Sequence, residues 1–130
     1  MSLPSNEVVL LQKHKATPIL LFTFQGELSK HTAHTLIHKW NNFHKQYRTR
    51  RFILIWDATG MTGYDPAARS QWQRMMKEVR DKIDKIYLVS DKRVIRLGAN
   101  LMSMFSKLTI KPVMSLPEIT ELETQHTLAS

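Results

Sequence analysis

Cysteine is absent from these 130 residues, which excludes disulfides, thiolate zinc sites and a cysteine nucleophile together. Glycine is scarce, at 4 residues, and the sequence contains no Walker loop, no G-x-G-x-x-G turn and no G-x-S-x-G elbow. No apolar run approaches the roughly 20 residues that a membrane-spanning helix needs. The opening MSLPSNEVV lacks the basic-then-apolar order of a signal peptide, so a cytoplasmic protein is expected. Positive charge is missing from the end of the chain. Residues 112–130 hold 3 of the 11 acids and no lysine or arginine, so all 19 basic residues lie in residues 1–111.

What is present is the composition of an ordinary globule, 42% apolar and 23% charged, with a net charge of +8. A chain of this length suits one domain over 1–130 and buries about two-thirds of its unfolded surface without a metal or disulfide. Residues 119–130 are expected to fray. A basic body can meet nucleic acid, anionic lipid or an acidic partner, and it can equally serve solubility alone.

Hydrophobic spacing divides the chain into elements. EVVLLQKH (7–14) and PILLFTFQG (18–26) are apolar, β-branched or aromatic enough for two strands joined as a hairpin. From Ser29, a good N-cap, Ala33, Leu36, Ile37, Trp40, Phe43 and Tyr47 recur at helical intervals. FILIWDA (52–58) has the near-continuous apolarity of a central strand. Gly60 and Gly63 then predict a turn. Asp65 and Pro66 match the N-cap and first position of a helix striped by Ala68, Trp72, Met75, Met76, Val79 and Ile83. KIYLVSD (85–91) predicts another buried strand. Asp91 would cap a third helix whose inner face is Val94, Leu97, Gly98, Leu101, Phe105 and Leu108. TIKPVM (109–114) is a short last strand, with Pro112 pointing to an edge or strand end, and 115–123 could form a short helix. Strands alternating with helices after an opening hairpin predict an α/β fold, a mixed and mostly parallel five-stranded sheet with three to four helices.

Few residues suggest chemistry. His31, His34 and His38 share one helical face, as a zinc or nickel site would need, but that face lies opposite the apolar stripe and offers no carboxylate. No metal site is expected. Asp57, Asp65 and Asp91 fall near the carboxyl ends of predicted strands, the edge where open α/β sheets bind ligands. Two of them are spoken for as caps, and VVLLQKHK lacks the acidic pair a receiver domain carries after its first strand. No catalytic residue and no cofactor is expected. Helix starts near Pro66 and Lys92 would instead bring amide donors and cations to that edge. Asp57, Thr59, Asp65, Arg69, Asp91, Lys92 and Arg93 are therefore the candidate ligand-binding set, suited to a small anion.

The second candidate is a surface. Lys92, Arg93, Arg96 and Lys107 share the outer face of the third helix, and Lys45, Arg48, Arg50 and Arg51 cluster after the first. Ile95, Met102 and Met104 widen the apolar face of the third helix. Arg93, Ile95, Arg96, Met102, Met104 and Lys107 thus form a candidate partner or anionic-membrane face. Packing in a homodimer would explain the same pattern. Nucleic acid is not expected, because the aromatic residues sit on buried stripes rather than among the basic ones.

GELSKHTAHTLIHKW, FILIWDATGMTGYDPAARSQW and IDKIYLVSDKRVIRLGANLMSMF, in this order, resemble the STAS-type domains of anti-anti-sigma factors, and more closely the bacterial SpoIIAA-like (STAS/SEC14-type) group. The resemblance covers roughly residues 18–118 and is one of pattern and corner geometry. It implies a non-enzymatic regulatory domain that engages a protein partner or a small apolar or anionic ligand. In anti-anti-sigma factors the residue after the corner aspartate is a serine that a partner kinase phosphorylates; here it is Pro66. The similarity of that group to Sec14-type lipid carriers implies the alternative, a peripheral membrane or lipid-binding module.

Overall fold

In the computed structural model, the described residues are 6–12, 17–47, 51–93, 95 and 108–119. Strand β1 (Glu7–Gln12) pairs antiparallel with β2 (Ile19–Leu28). Helix α1 (Lys30–Gln46), strand β3 (Phe52–Tyr64), helix α2 (Pro66–Val79), strand β4 (Ile83–Val89) and strand β5 (Ile110–Val113) follow, and residues 116–119 make a helical turn. The sheet order is β1-β2-β3-β4-β5, and every pair after the first is parallel. This is the mixed, mostly parallel five-stranded α/β sheet expected from the spacing of strands and helices.

Each parallel connection steps one strand in the same direction, and right-handed crossovers then place their helices on one face. The packing agrees. Ala33, Leu36 and Trp40 of α1 and Ala68, Trp72, Met75, Met76 and Val79 of α2 share one core with Phe22, Leu54, Trp56, Ile86 and Leu88 of the sheet. Alternation along β3 divides its residues between the two faces. Phe52, Leu54 and Trp56 meet the helices, while Ile53 and Ile55 join Tyr87, Val89, Val113 and Ile119 on the other side.

Two boundaries differ from expectation. The helical stripe was extended to Ile83, but α2 stops at Val79, and a 3-10 turn at Arg80–Lys82 turns the chain. Ile83 instead opens β4 opposite Phe52, where strand pairing buries it to 1% exposure. An apolar residue at that spacing serves either element, and the pairing decides. For the third helix, Arg93 and Ile95 are helical, whereas 94 and 96–107 lie outside the described residues. Pro112 falls on β5, an edge strand, as anticipated.

Aromatic rings fill the helix-side core. Trp72 meets Phe22, Phe24 and Trp56 edge-to-face at centroid distances of 5.8, 5.5 and 5.8 Å. Such pairs add to the energy of area burial alone. Trp72→Ala and Trp40→Ala should each cost about 3–5 kcal/mol in urea denaturation; losses under 1 kcal/mol would contradict this packing. His44 stacks on Trp40 with centroids 5.7 Å apart. Burial, and secondarily the Lys82 ammonium, hold its pKa below the ordinary value of 6.5. The folded state therefore disfavours the protonated ring. Its stability contribution is complete above the unfolded pKa and is lost as pH falls through that value toward the lower folded one. His44→Phe should flatten the decline of the urea midpoint below pH 6.5 relative to wild type; parallel pH profiles would assign that decline to other groups.

Candidate functional site

The corner after β3 is organised by one carboxylate. The sequence places Asp65 before Pro66, whose ring presets helical geometry and lacks an amide proton to satisfy. Asp65 Oδ1 accepts the Ala68 amide at 2.7 Å and so caps α2. Its second oxygen, Oδ2, accepts the Lys30 amide at 3.2 Å, at the start of α1. Neither helix has an acid in its first turn. Asp65 is thus a shared counter-charge for two helix N-termini, whose unpaired amides and dipoles favour an anion. Its own amide donates to Leu28 O at 3.1 Å, fastening the corner to the end of β2.

The stretch around Gly60 and Gly63, expected as a turn, is strand. β3 continues to Tyr64, paired with β2 as far as Leu28. Its register slips twice: Thr23 and Gln25 face Asp57 and Gly60, and Gly26 and Glu27 face Met61 and Gly63. Each slip adds one residue to β3, a bulge that re-aims the side chains beyond it. Trp56, Ala58, Met61 and Tyr64 consequently all lie on the helix side despite their uneven spacing. At Gly60 a Cβ would overlap the Gln25 side-chain amide, which would have to swing aside to admit a larger residue. The positive φ of the region belongs to Gly26, at 72°.

Most of the candidate ligand residues secure this bulged strand. Asp57 Oδ1 accepts Thr59 Oγ1–H at 2.7 Å and the Thr59 amide at 3.2 Å. Lys92 Nζ donates to Thr59 O at 3.0 Å and to Met61 O. Lys92 was expected on an outward basic stripe, but these bulge carbonyls draw its ammonium across to β3. The Lys92 amide is accepted by Ser90 Oγ at 3.1 Å. Asp91 and Arg93 are exposed.

Arg69 lies elsewhere, beside an apolar cavity of about 50 Å³. Phe24 and Leu28 of β2, Trp56, Ala58, Met61 and Tyr64 of β3, Leu88 of β4, Trp72 of α2 and Ile95 line it with Arg69. The Arg69 guanidinium lies 6.0 Å from the Tyr64 ring centroid. Buried Arg69 Nε and Trp56 Nε1 each lack a hydrogen-bond acceptor, and Trp56 is only 3% exposed. Unpaired buried donors are costly, so both are poised to gain from an acceptor. Trp56 escaped sequence reasoning because its apolar run resembled plain core; the uneven spacing 56, 58, 61, 64 across two glycines was the available signal.

The partner or membrane face is only partly described. Arg93 is exposed, but Ile95 is 4% exposed and packs in the helix-side core, which corrects its expected outward position. Ile95 helps to line the cavity. Arg96, Met102, Met104 and Lys107 lie outside the described residues, as do Arg48 and Arg50. Arg51 Nη2 donates to Ile83 O at 2.9 Å. His31, His34 and His38 are exposed, and the last two border a groove between α1 and α2. Among the described residues no helix is long and apolar enough to cross a membrane.

This sheet order, with α1 and α2 on one face, is that of a SpoIIAA-like fold. An uncharacterized DUF3478-family protein with a SpoIIAA-like fold from Shewanella loihica PV-4 matches with a TM-score of 0.71 at 10% identity, covering 94% of this chain and 98% of that one. The anti-sigma factor antagonist SpoIIAA in its unphosphorylated form matches with a TM-score of 0.65 at 11% identity, covering 93% and 98%. No family model and no curated protein sequence matches the chain.

Asp65 is the N-cap of α2 and adds one bond to the Lys30 amide of α1, whose own N-cap is Ser29, so Asp65→Ala should lower stability by about 1–2 kcal/mol. Asp65→Asn keeps one acceptor oxygen and should recover about half of the loss. Equal midpoints for wild type and Asp65→Ala in urea would contradict the shared cap.

Proposed function

We propose that this chain is a non-enzymatic binding domain whose ligand is a small molecule with an apolar body and one anionic or hydrogen-bond-accepting group. The observation that carries this is an apolar cavity lined by Trp56 and Arg69, two residues whose buried Nε1 and Nε have no hydrogen-bond partner. Asp57, Thr59, Asp65 and Lys92 then act indirectly, by holding the bulged strand and the helix start that shape the pocket. At about 50 Å³ the cavity has room for a short chain or the edge of a ring, not for a long acyl tail. This favours a small ligand over the Sec14-like lipid-carrier alternative.

A protein partner is the second reading. The fold likeness to SpoIIAA, described as an anti-sigma factor antagonist, supports it. Pro66 has no hydroxyl, so such a partner would not be controlled by phosphorylation at that position.

Hexanoate and hexanol, followed by tryptophan fluorescence, separate the parts of the first reading. Both should bind in the millimolar range through the apolar wall, and hexanoate more tightly. Arg69→Gln should weaken hexanoate about tenfold while leaving hexanol nearly unchanged, because only the carboxylate gains from the guanidinium. Ala58→Val, which fills the cavity, should abolish both. If neither compound perturbs Trp56 or Trp72 at tens of millimolar, the pocket is ordinary core.

A further inference from the structure

The two edges of the sheet are unequally guarded. β5 carries exposed Lys111 and Pro112, a cation that resists desolvation and a residue with no amide proton to share. β1 reads Glu-Val-Val-Leu-Leu-Gln, with no proline and no base. Its inner side pairs with β2, and among the described residues no strand pairs with its outer side. Val9 is 41% exposed and Leu11 53%, two of the exposed large apolar residues of the described chain. Val9 stands across from Leu21, so the apolar band of Leu21, Ile53 and Ile55 runs out to this edge.

We propose that β1 is a self-association edge, on which the β1 of a second copy pairs antiparallel about a two-fold axis. The strand is self-complementary in one register. With Val9 opposite its own counterpart, Val8 faces Leu10 of the second copy and Leu10 faces Val8. These are the residues that already belong to the helix-side core or pack against it. The bulge between Leu10 and Gln12 limits the regular ladder to the stretch that this register uses. Charge does not oppose the approach within the strand: the chain carries +8, yet the only charge on β1 is Glu7, so the strand itself brings no base to the seam. The guarded β5 edge ends the assembly at two subunits, giving a closed dimer with one continuous sheet rather than a filament.

Sedimentation velocity on the full chain tests this directly. A reversible dimer is expected at micromolar concentrations, and Val9→Lys should weaken it at least about tenfold while leaving the far-ultraviolet dichroism unchanged. Lys111→Glu, on the other edge, should leave the dimer intact. A second arm does not depend on tolerance of a buried charge. The chain has no cysteine, so Val9→Cys introduces a single thiol. The two thiols brought together at the axis should lose two protons and two electrons to a mild oxidant and form a cross-linked dimer. Ser70→Cys, exposed on α2, should cross-link far more slowly. A wild type that stays monomeric throughout, as it would if residues 1–5 or a different protein occupied the edge, overturns the proposal. So does a dimer that Val9→Lys leaves intact, equal cross-linking of both thiol variants, or open-ended polymerisation.

Discussion

The two oxygens of Asp65 hold together the region on which the rest of the molecule is built. Helices α1 and α2 both begin without an acid, and both direct unpaired amides toward the same corner. Left to themselves, two positive helix ends would repel each other and leave amides unsatisfied. One carboxylate, supplied by the last turn of chain after β3, resolves both problems at 2.7 and 3.2 Å. It can reach that place only if β3 extends alongside β2 to its end, and this makes β3 a strand of 13 residues. The corner that resembles a phosphorylation or anion site therefore already contains its anion.

The long strand has a second consequence. Two extra residues must be absorbed in its second half, and the bulges that absorb them leave carbonyls and loops that need partners. Asp57, Thr59 and Lys92 supply those partners. A cluster of acid, hydroxyl and ammonium at the carboxyl edge of an α/β sheet has the composition of a ligand site, yet here its hydrogen-bonding capacity is largely consumed within the protein. The bulges also turn Ala58, Met61 and Tyr64 toward α2, and the cavity forms between them and Trp72. Among the buried side-chain atoms left without a partner are Trp56 Nε1 and Arg69 Nε, both on residues that line this cavity, and the proposed binding function rests on those two donors.

The parts of this architecture that repeat with a fixed period were legible from the chain alone. Ala33, Leu36 and Trp40 mark the buried side of α1, and Ala68, Trp72, Met75 and Met76 mark that of α2, because helical burial imposes its spacing locally. The Asp65–Pro66 start was legible for the same reason, since capping is decided within four residues. The stretch from Asp57 to Tyr64 was not. Two glycines ordinarily signal a turn, but here one avoids collision with Gln25 and neither has a positive φ. Ile83 fits a helical stripe and a strand equally well. Ile95 was assigned to a partner or membrane face because it widens an apolar stripe, whereas it is buried in the helix-side core.

The sequence by itself determined the order of elements, the two helix faces, the central strand at Phe52–Trp56 and the cap that opens α2, all of which follow from interactions a few residues long. Only the tertiary structure decided that Asp65 also serves α1, that Lys92 reaches across to Thr59 and Met61, and that Trp56 and Arg69 border one cavity. The Asp65 and Lys92 contacts join residues more than 30 positions apart, and Trp56 and Arg69 meet from a strand and a helix. Their energy depends on where the strands bring the groups, and no local spacing encodes that placement.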